Sequence, residues 1–442
     1  MYPQKPIIAF ALGFMMVSIP LLAADVPRDG NPPNILWIMA DDISPELSCY
    51  GHPAVETPHL DGLARQGARY TNAFTTAPSC TPSRNAMLTG VYQTRTDTQD
   101  QRRRGIDLPE EMKPITELLR EAGYFTAVGC GYNAKTDHNF NTDEPLFDGR
   151  DWSEREEGQP FFAQITLFIT HRQREGWGPV RASSEAPVEL SEVVLPPYFP
   201  DHPLTRLDWA QYLDAIEKAD AQVGEILARL DAEGLADNTV VIFIGDNGRC
   251  HLRGKSWLYD GGIHVPLIMR WPDRIRPGIV SDDMVSMIDI SATILDIAGV
   301  ELPSYLDGHP IIGPNAQQRE HIFAARDLID EVMDRIRAVR TKEFKYIRNY
   351  KAENGYQECE YVQNHRPMLP VIRKLHTKGE LTEAQQLLLA KTKPVEELYD
   401  LRTDPHEIHN LALSPRHQDK LNELRALLDA WIARGISSAY LR

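Results

Sequence analysis

Two stretches of the sequence are apolar at nearly every residue rather than at every second one: Asn34–Ala40 (NILWIMA) and Thr239–Ile244 (TVVIFI). A strand with one face in water alternates apolar and polar side chains, whereas a strand covered on both faces need not. These two runs therefore predict a parallel sheet sandwiched between helices. Phe161–Ile169 and Pro266–Met269 read the same way, with shorter strands at Tyr70–Phe74 and Phe125–Val128. Helical signals fall between them. They are His59–Gln66 behind a Thr57 cap and Pro58, Pro114–Ala122 closed by Gly123, Leu207–Leu230 with apolar residues at helical spacing, and Ile288–Ala298 stopped at Gly299. Such alternation gives an α/β fold.

Near Ala338 the rhythm changes. AVRTKEFKYIRNY reads as two strands joined at Thr341-Lys342-Glu343, ELYDLRTDPHEIHNLA adds a strand and a turn, and Lys420–Ala433 is a terminal amphipathic helix. The expected organisation is a signal peptide at residues 1–24, a large N-terminal domain at 25–335 and a smaller C-terminal α+β subdomain at 336–442. Lys5, the apolar run Ile7–Ala23 and small residues before Asp25 carry the signal reading. The run is short for a membrane span, so periplasmic or secreted localisation is expected, with no stable membrane insertion after signal removal. An uncleaved N-terminal anchor is the alternative. A formal charge of −16 without a basic stripe excludes nucleic acid as a partner. Five scattered cysteines (Cys49, Cys80, Cys130, Cys250, Cys359) make no disulfide scaffold, and no C-x-x-C pair points to zinc or redox work.

The chemistry collects elsewhere. Ser79–Gly90 (SCTPSRNAMLTG) reads as a short helix with Thr81 as cap, Pro82 as its first residue and Gly90 as its stop. Cys80 then sits just ahead of a helix N-terminus, where free N–H groups favour an anion, and Arg84 adds a fixed cation in the first turn. Taken alone, this also fits a buried structural cysteine before an ordinary helix. Asp41-Asp42 follow the first strand, and Asp246-Asn247 follow Thr239–Gly245. Ligands gather at strand carboxyl ends in open α/β sheets, and carboxylates with a side-chain amide suit a hard divalent cation. Either pair alone also reads as a strand-end turn. Further polar clusters hold Lys135, Asp137 and His138 (GYNAKTDHNF), His171 and Arg174 (LFITHRQR), and His251, Arg253 and Lys255 (GDNGRCHLRGKSWLYDGG). Tyr259–Gly262 reads as a structural turn, and Trp257 as packing against the subdomain in preference to a sugar platform.

In combination these motifs carry a resemblance. CTPSR followed by NAMLTG resembles the signature of type I sulfatases, C-x-P-x-R and then a short helix ending in T-G, and the acidic pairs and lysines follow in that family's order. The likeness runs from Asn34 to the ELYDLRTDPHEIHNLA block and is nearest the bacterial branch related to heparan N-sulfatase (sulfamidase). It implies an alkaline-phosphatase-like fold. It implies that a formylglycine-generating or sulfatase-maturing enzyme reads Pro82 and Arg84 and oxidises Cys80 to Cα-formylglycine. The metal implied is Ca²⁺, with Mg²⁺ as alternative, held by Asp41, Asp42, Asp246, Asn247 and residue 80. Arg84, Lys135 and Lys255 would stabilise the sulfuryl oxygens. Two motifs depart from the family pattern. Where G-K-x-H is usual, Lys135 matches the lysine, but Asp137 stands at the histidine's place and His138 comes one residue later. Where T-H-x-P-H is usual, only Thr170-His171 is kept, with Arg174 as an extra sulfate or carboxylate contact. Asp137, His138, Arg174, His251 and Arg253 are thus the expected substrate contacts, the last two from a loop bordering the cleft.

The implied function is hydrolysis of an O-sulfate or N-sulfate from a sulfated saccharide. Hydrated formylglycine offers one hydroxyl for in-line attack on sulfur and a second whose deprotonation expels sulfate, whereas a thiol would stall as a stable thiosulfate ester. His171 is expected to protonate the leaving atom, with Lys255 as second choice. Two other readings are a phosphodiesterase or phosphonate hydrolase of the alkaline phosphatase superfamily, and an inactive sulfated-glycan-binding protein. An acidic chain acting on an anionic substrate must concentrate positive charge in its cleft.

Overall fold

The computed structural model describes residues 32–356, 359–360 and 366–435. The expected signal peptide lies outside them. Seven strands form the main sheet: β1 (Asn34–Ala40), β2 (Ala68–Phe74), β3 (Phe125–Val128), β4 (Phe161–Leu167), β5 (Thr239–Gly245), β6 (Leu267–Arg270) and β7 (Ile279–Ser286). Their order is β3-β4-β1-β5-β6-β2-β7. β6 runs antiparallel to β5 and β2, and the remaining pairs are parallel.

Both faces of this sheet are covered, which is why its central strands read as solid apolar runs. Along β1, Leu36, Ile38 and Ala40 join one core with Leu213, Ile216 and Val223 of the long helix Pro203–Ala232. Ile35, Trp37 and Met39 join a second core with Ile290 and Ile294 of helix Met287–Ile297. Helices α1 (Pro58–Gln66), α2 (Cys80–Thr89) and α3 (Ile115–Glu121) complete the layers. β4 ends two residues earlier than expected, because Phe168–Thr170 form a 3₁₀ turn. β7 was not expected from sequence. As an edge strand carrying Ser281, Asp282 and Asp283, it lacks the apolar run that marks its neighbours.

A second sheet, antiparallel throughout, has the order β11-β10-β9-β8, with β8 (His321–Ile329), β9 (Val332–Thr341), β10 (Phe344–Asn349) and β11 (Glu396–Asp400). It therefore opens ahead of residue 336, the boundary expected from sequence. β8 hides because it buries a charged pair, Asp327 with Arg337 of β9 at 2.9 Å, which breaks its apolar alternation. This sheet packs Ile322, Ala338 and Ile347 against Phe74, Trp257 and Met284 of the larger part. Trp257 is no sugar platform, since the Arg326 guanidinium covers its ring at 4.3 Å and Tyr356 packs at 5.1 Å. No disulfide joins any of the five cysteines. Among the described residues no helix is long and apolar enough to cross a membrane.

Phe243, in the central strand β5, has no exposed surface. Phe243→Ala is expected to cost about 3–5 kcal/mol in denaturant unfolding, and a loss below about 1 kcal/mol would contradict its place in a close-packed core.

Candidate active site

Four adjacent parallel strands, β3, β4, β1 and β5, end on one edge of the sheet, and each leads into a site residue. β1 runs into Asp41 and Asp42, β5 into Asp246 and Asn247, β4 through its 3₁₀ turn into His171, and β3 through a glycine-rich bend to Lys135. Asp42 sits at φ +54°, left-handed backbone that a non-glycine residue adopts at a cost of order 1–3 kcal/mol. Gly248 follows Asn247 because a Cβ there would lie 2.3 Å from the Gly261 carbonyl oxygen.

Helix α2 begins two residues earlier than the sequence suggests. Ser79, extended at φ −156°, is the N-cap, so Cys80 is the first helical residue and Thr81 lies inside. Pro82 is still in the first turn, where its missing N–H costs nothing. Gly90 closes the helix at φ +68°, as expected. Every residue of α2 is buried. Burial pushes the Cys80 thiol up against the pull of Lys255 and Lys135, which leaves it a neutral thiol and a poor nucleophile.

Arg84 does not line the cavity. Its buried guanidinium donates to Asp246 Oδ2 (2.8 Å), Asp41 Oδ2 (3.2 Å), the Lys135 carbonyl oxygen (3.0 Å) and Thr166 Oγ1 (3.1 Å). The expectation that it faces the sulfuryl group is thus corrected: its guanidinium is turned to the carboxylates of Asp41 and Asp246. The lysines are placed differently, half on the acids and half in the cavity. Lys135 Nζ lies 2.6 Å from Asp41 Oδ2 and 3.1 Å from Asp137 Oδ2, and Lys255 Nζ lies 2.5 Å from Asp42 Oδ1. Burial pulls both aspartates upward, yet Lys135 and Arg84 hold Asp41, and Lys255 and His171 hold Asp42, below the usual carboxylate range. Asp246 goes the other way. Burial and the nearby Asp41 push it up to about 6.

The donor set suits a hard divalent cation. Asp41 Oδ1, Asp42 Oδ2 and Asn247 Oδ1 are buried without a hydrogen-bond partner, although the other side-chain oxygens of both aspartates are fully engaged. Stranded buried carboxylate oxygens are costly, and oxygen donors are what Ca²⁺ or Mg²⁺ takes. Asp246 spends Oδ1 on the Asp42 N–H (3.0 Å) and Oδ2 on Arg84. A ligand atom of His171 lies within 4.8 Å of those of Asp41 and Asp42. Its imidazole is nevertheless the softer donor, and a hard cation prefers the oxygens.

Comparison with known proteins agrees with this geometry. The profile of the Sulfatase family matches residues 33–148 and 128–300, and that of the N-sulphoglucosamine sulphohydrolase C-terminal region matches residues 248–388. An ulvan-active sulfatase of Formosa agariphila is 34% identical over 448 residues, covering 90% of this chain and 74% of its own. The chain belongs to the sulfatase family. Its enzymatic class is accordingly sulfuric-ester hydrolase or sulfamidase. Human N-sulphoglucosamine sulphohydrolase is 28% identical, with 90% of each chain covered. The solved structure of BT4656 in complex with its substrate D-glucosamine-2-N,6-O-disulfate superposes with a TM-score of 0.64 at 19% identity, over 90% of this chain and 97% of that one. The fold is the alkaline-phosphatase-like one of sulfatases.

In this sulfatase-family chain the expected site residues separate into two groups. Cys80, Lys135, Asp137, His171, Arg174 and Lys255 line one cavity of about 560 Å³. Burial lowers the His171 pKa against the opposing pull of Asp42. His138, His251 and Arg253 are not in that cavity. His138 turns aside to Thr136 Oγ1 (2.8 Å) and Phe140. His251 is wholly buried among aromatic rings, stacked on Trp209 at 4.4 Å with Trp177 and Tyr212 beside it, and burial drives its pKa well down. Arg253 lies 3.5 Å over the Tyr259 ring and donates to the Glu407 carbonyl oxygen, facing the second sheet. The Gly248–Lys255 loop does border the cleft, but these two side chains turn inward.

Sequence reading missed Gln101, Arg102, Asp330 and Arg366, all of which line the same cavity. Asp330 and Arg366 come from the second sheet's side of the chain, so no local spacing signals them. Gln101 and Arg102 stand in a polar run, QDQRRRG, with no motif of their own.

Adding a divalent cation to chelator-treated protein should raise its Tm, with stabilisation of about 2.7 kcal/mol at a hundredfold excess over Kd. Asp42→Ala should abolish that response in calorimetry. Identical melting of the parent protein with chelator and with Ca²⁺, Mg²⁺ or Mn²⁺ would show that the stranded oxygens hold no metal.

Proposed function

We propose that this chain is an exported sulfatase that removes sulfate, as an O-ester or an N-sulfate, from a sulfated carbohydrate. The observation that carries the reading is the position of Cys80. It opens a buried helix and lines a cavity together with Lys135 and Lys255, whose ammonium groups pair with Asp41 and Asp42, the aspartates that carry two of the three stranded oxygens. Asp41, Asp42, Asp246 and Asn247 would hold Ca²⁺, with Mg²⁺ as alternative. A bound dication supplies a Lewis acid that withdraws charge from the sulfuryl oxygens. Conversion of Cys80 to Cα-formylglycine supplies, once hydrated, an oxygen nucleophile and a second hydroxyl for releasing the product. A maturing enzyme would be needed for that step, and the apolar N-terminal run is the basis for export.

The chain's own residues do the rest. The three carboxylates of the metal set are matched by Arg84, Lys135 and Lys255, so a dication leaves the cluster positive even after Asp137 takes one unit back. That answers how a chain of charge −16 accepts an anion. The lysines are preorganised by ion pairs at 2.5 and 2.6 Å and need little reorganisation as charge develops. His171, at the carboxyl end of β4, reaches the cavity and is the first choice for protonating the leaving oxygen or nitrogen, with Lys255 second. Arg174, exposed at the cavity wall, is placed to meet a further anionic group of the saccharide.

Sulfate release should be assayed across defined O- and N-sulfated saccharides, with the residue-80 peptide checked by mass spectrometry. An aryl phosphate diester serves as the comparison substrate. The expected outcome is sulfate release that requires the converted residue. Cys80→Ala should lose more than about 10³-fold in kcat while melting like the parent. Full activity in that variant, or faster turnover of the phosphate diester, would overturn the reading.

A further inference from the structure

We infer that Gln101 is a positioning residue of this site: its side-chain NH₂, oriented by the turn of the second sheet, donates to the group carried on Cβ of residue 80. The inference rests on the role proposed above for residue 80. Gln101 is 4% exposed and lies on the segment that follows α2. Three hydrogen bonds tie this segment to the β8–β9 hairpin. The Gln101 backbone N–H donates to the Leu328 carbonyl oxygen (3.1 Å). The Asp330 backbone N–H, in the hairpin turn, donates to Gln101 Oε1 (3.2 Å). Arg102 Nε donates to Asp330 Oδ1 (2.6 Å).

The second of these decides the orientation of the amide. A carboxamide's oxygen and nitrogen are told apart by their partners, and a backbone N–H requires an acceptor. Oε1 must therefore face the turn, which directs Nε2 the other way. Nε2 lies 3.8 Å from Cys80 Sγ, within hydrogen-bond range for sulfur. The cations near residue 80 have prior engagements, Lys135 with Asp41 and Asp137, and Lys255 with Asp42, while Asp137, which also interacts with the Cys80 side chain, is an acceptor and not a donor. Gln101 differs from them in kind. It is a neutral donor with a fixed direction, held from behind by a backbone group, and so suited to selecting one rotamer of the side chain at residue 80. A nucleophile misplaced by about 1 Å loses of order 100-fold in rate, so such a device has a function to serve. Through it the second sheet reaches the reacting atom.

Gln101→Glu keeps the shape but removes the donor, and Gln101→Met keeps the length but removes all polarity. In the converted enzyme both variants are expected to lower kcat about tenfold, with KM within about twofold and the parent's Tm. A merely structural role would lower Tm and leave kcat alone. The second readout needs no converted residue. In crystal structures of the unconverted chain, Cys80 should hold one χ1 rotamer in the parent and more than one in both variants. Unchanged kcat in both variants, or a single unaltered rotamer in both, would overturn the inference. If the parent enzyme released no sulfate, the functional reading would fail, while the rotamer comparison would still decide the role of Gln101.

Discussion

The arrangement of the site depends on one buried cation. Arg84 projects from the second turn of α2 and binds Asp41 after β1, Asp246 after β5, Thr166 of β4 and the carbonyl of Lys135 beyond β3. One planar guanidinium thus registers the helix carrying residue 80 against four strand ends. A monodentate lysine has too few donors, in the wrong geometry, to do this. Buried charge networks contribute little to net stability, because desolvation offsets their attraction, but losing one partner leaves a bare charge inside. The cluster therefore tolerates few alternative arrangements. Stability comes from elsewhere, chiefly the two apolar cores on either face of the sheet.

That division explains what was legible in the sequence. The strands of the main sheet were readable because burial on both faces forces solid apolar runs. The acidic pairs at the strand ends were readable because they follow those runs immediately. Lys255 and Lys135 were found through motif order, and both reach the cavity. Arg84 was found as a cation, but a sequence shows the donor and not its four acceptors, which come from segments far apart in the chain. His251 and Arg253 show the complementary failure. Proximity to Lys255 made them attractive, yet the loop alternates its side chains between the cleft and the interior. The aromatic residues that enclose His251 come from the long helix and the segment before it. Gln101 was invisible for the same reason, since its meaning is given by the Asp330 backbone N–H.

The second sheet also grips the site from behind. Its strand β10 sends Lys345 to Asp260 (2.5 Å) and Glu407 (2.6 Å), and Arg340 of β9 adds a contact to Asp260 at 3.2 Å. Asp260 opens the turn read from sequence as structural. Burial would raise its carboxyl, but Lys345 and Arg340 hold it below the usual range. Two residues on, the Gly262 carbonyl oxygen accepts from the Gly248 N–H (2.9 Å), and the Gly261 carbonyl oxygen accepts from Ser44 Oγ (3.2 Å). Gly248 adjoins Asn247, and Ser44 follows Asp42 by two residues. The turn therefore supports the strand ends that carry Asp42 and Asn247 at once.

The domain boundary in the chain is consequently not a boundary in the chemistry. The larger sheet supplies the carboxylates, but the chain around them is braced by a turn that the second sheet anchors. The opposite side of the same sheet, the β8–β9 hairpin, lines the cavity with Asp330. A ligand entering that cavity meets side chains from both parts of the fold. Loosening the interface formed by Trp257, Ile322 and Ile347 would release the brace behind Asn247 and the cavity wall in front of residue 80 together. That coupling gives a physical reason for burying Lys345 and Arg253, two cations that do not line the cavity.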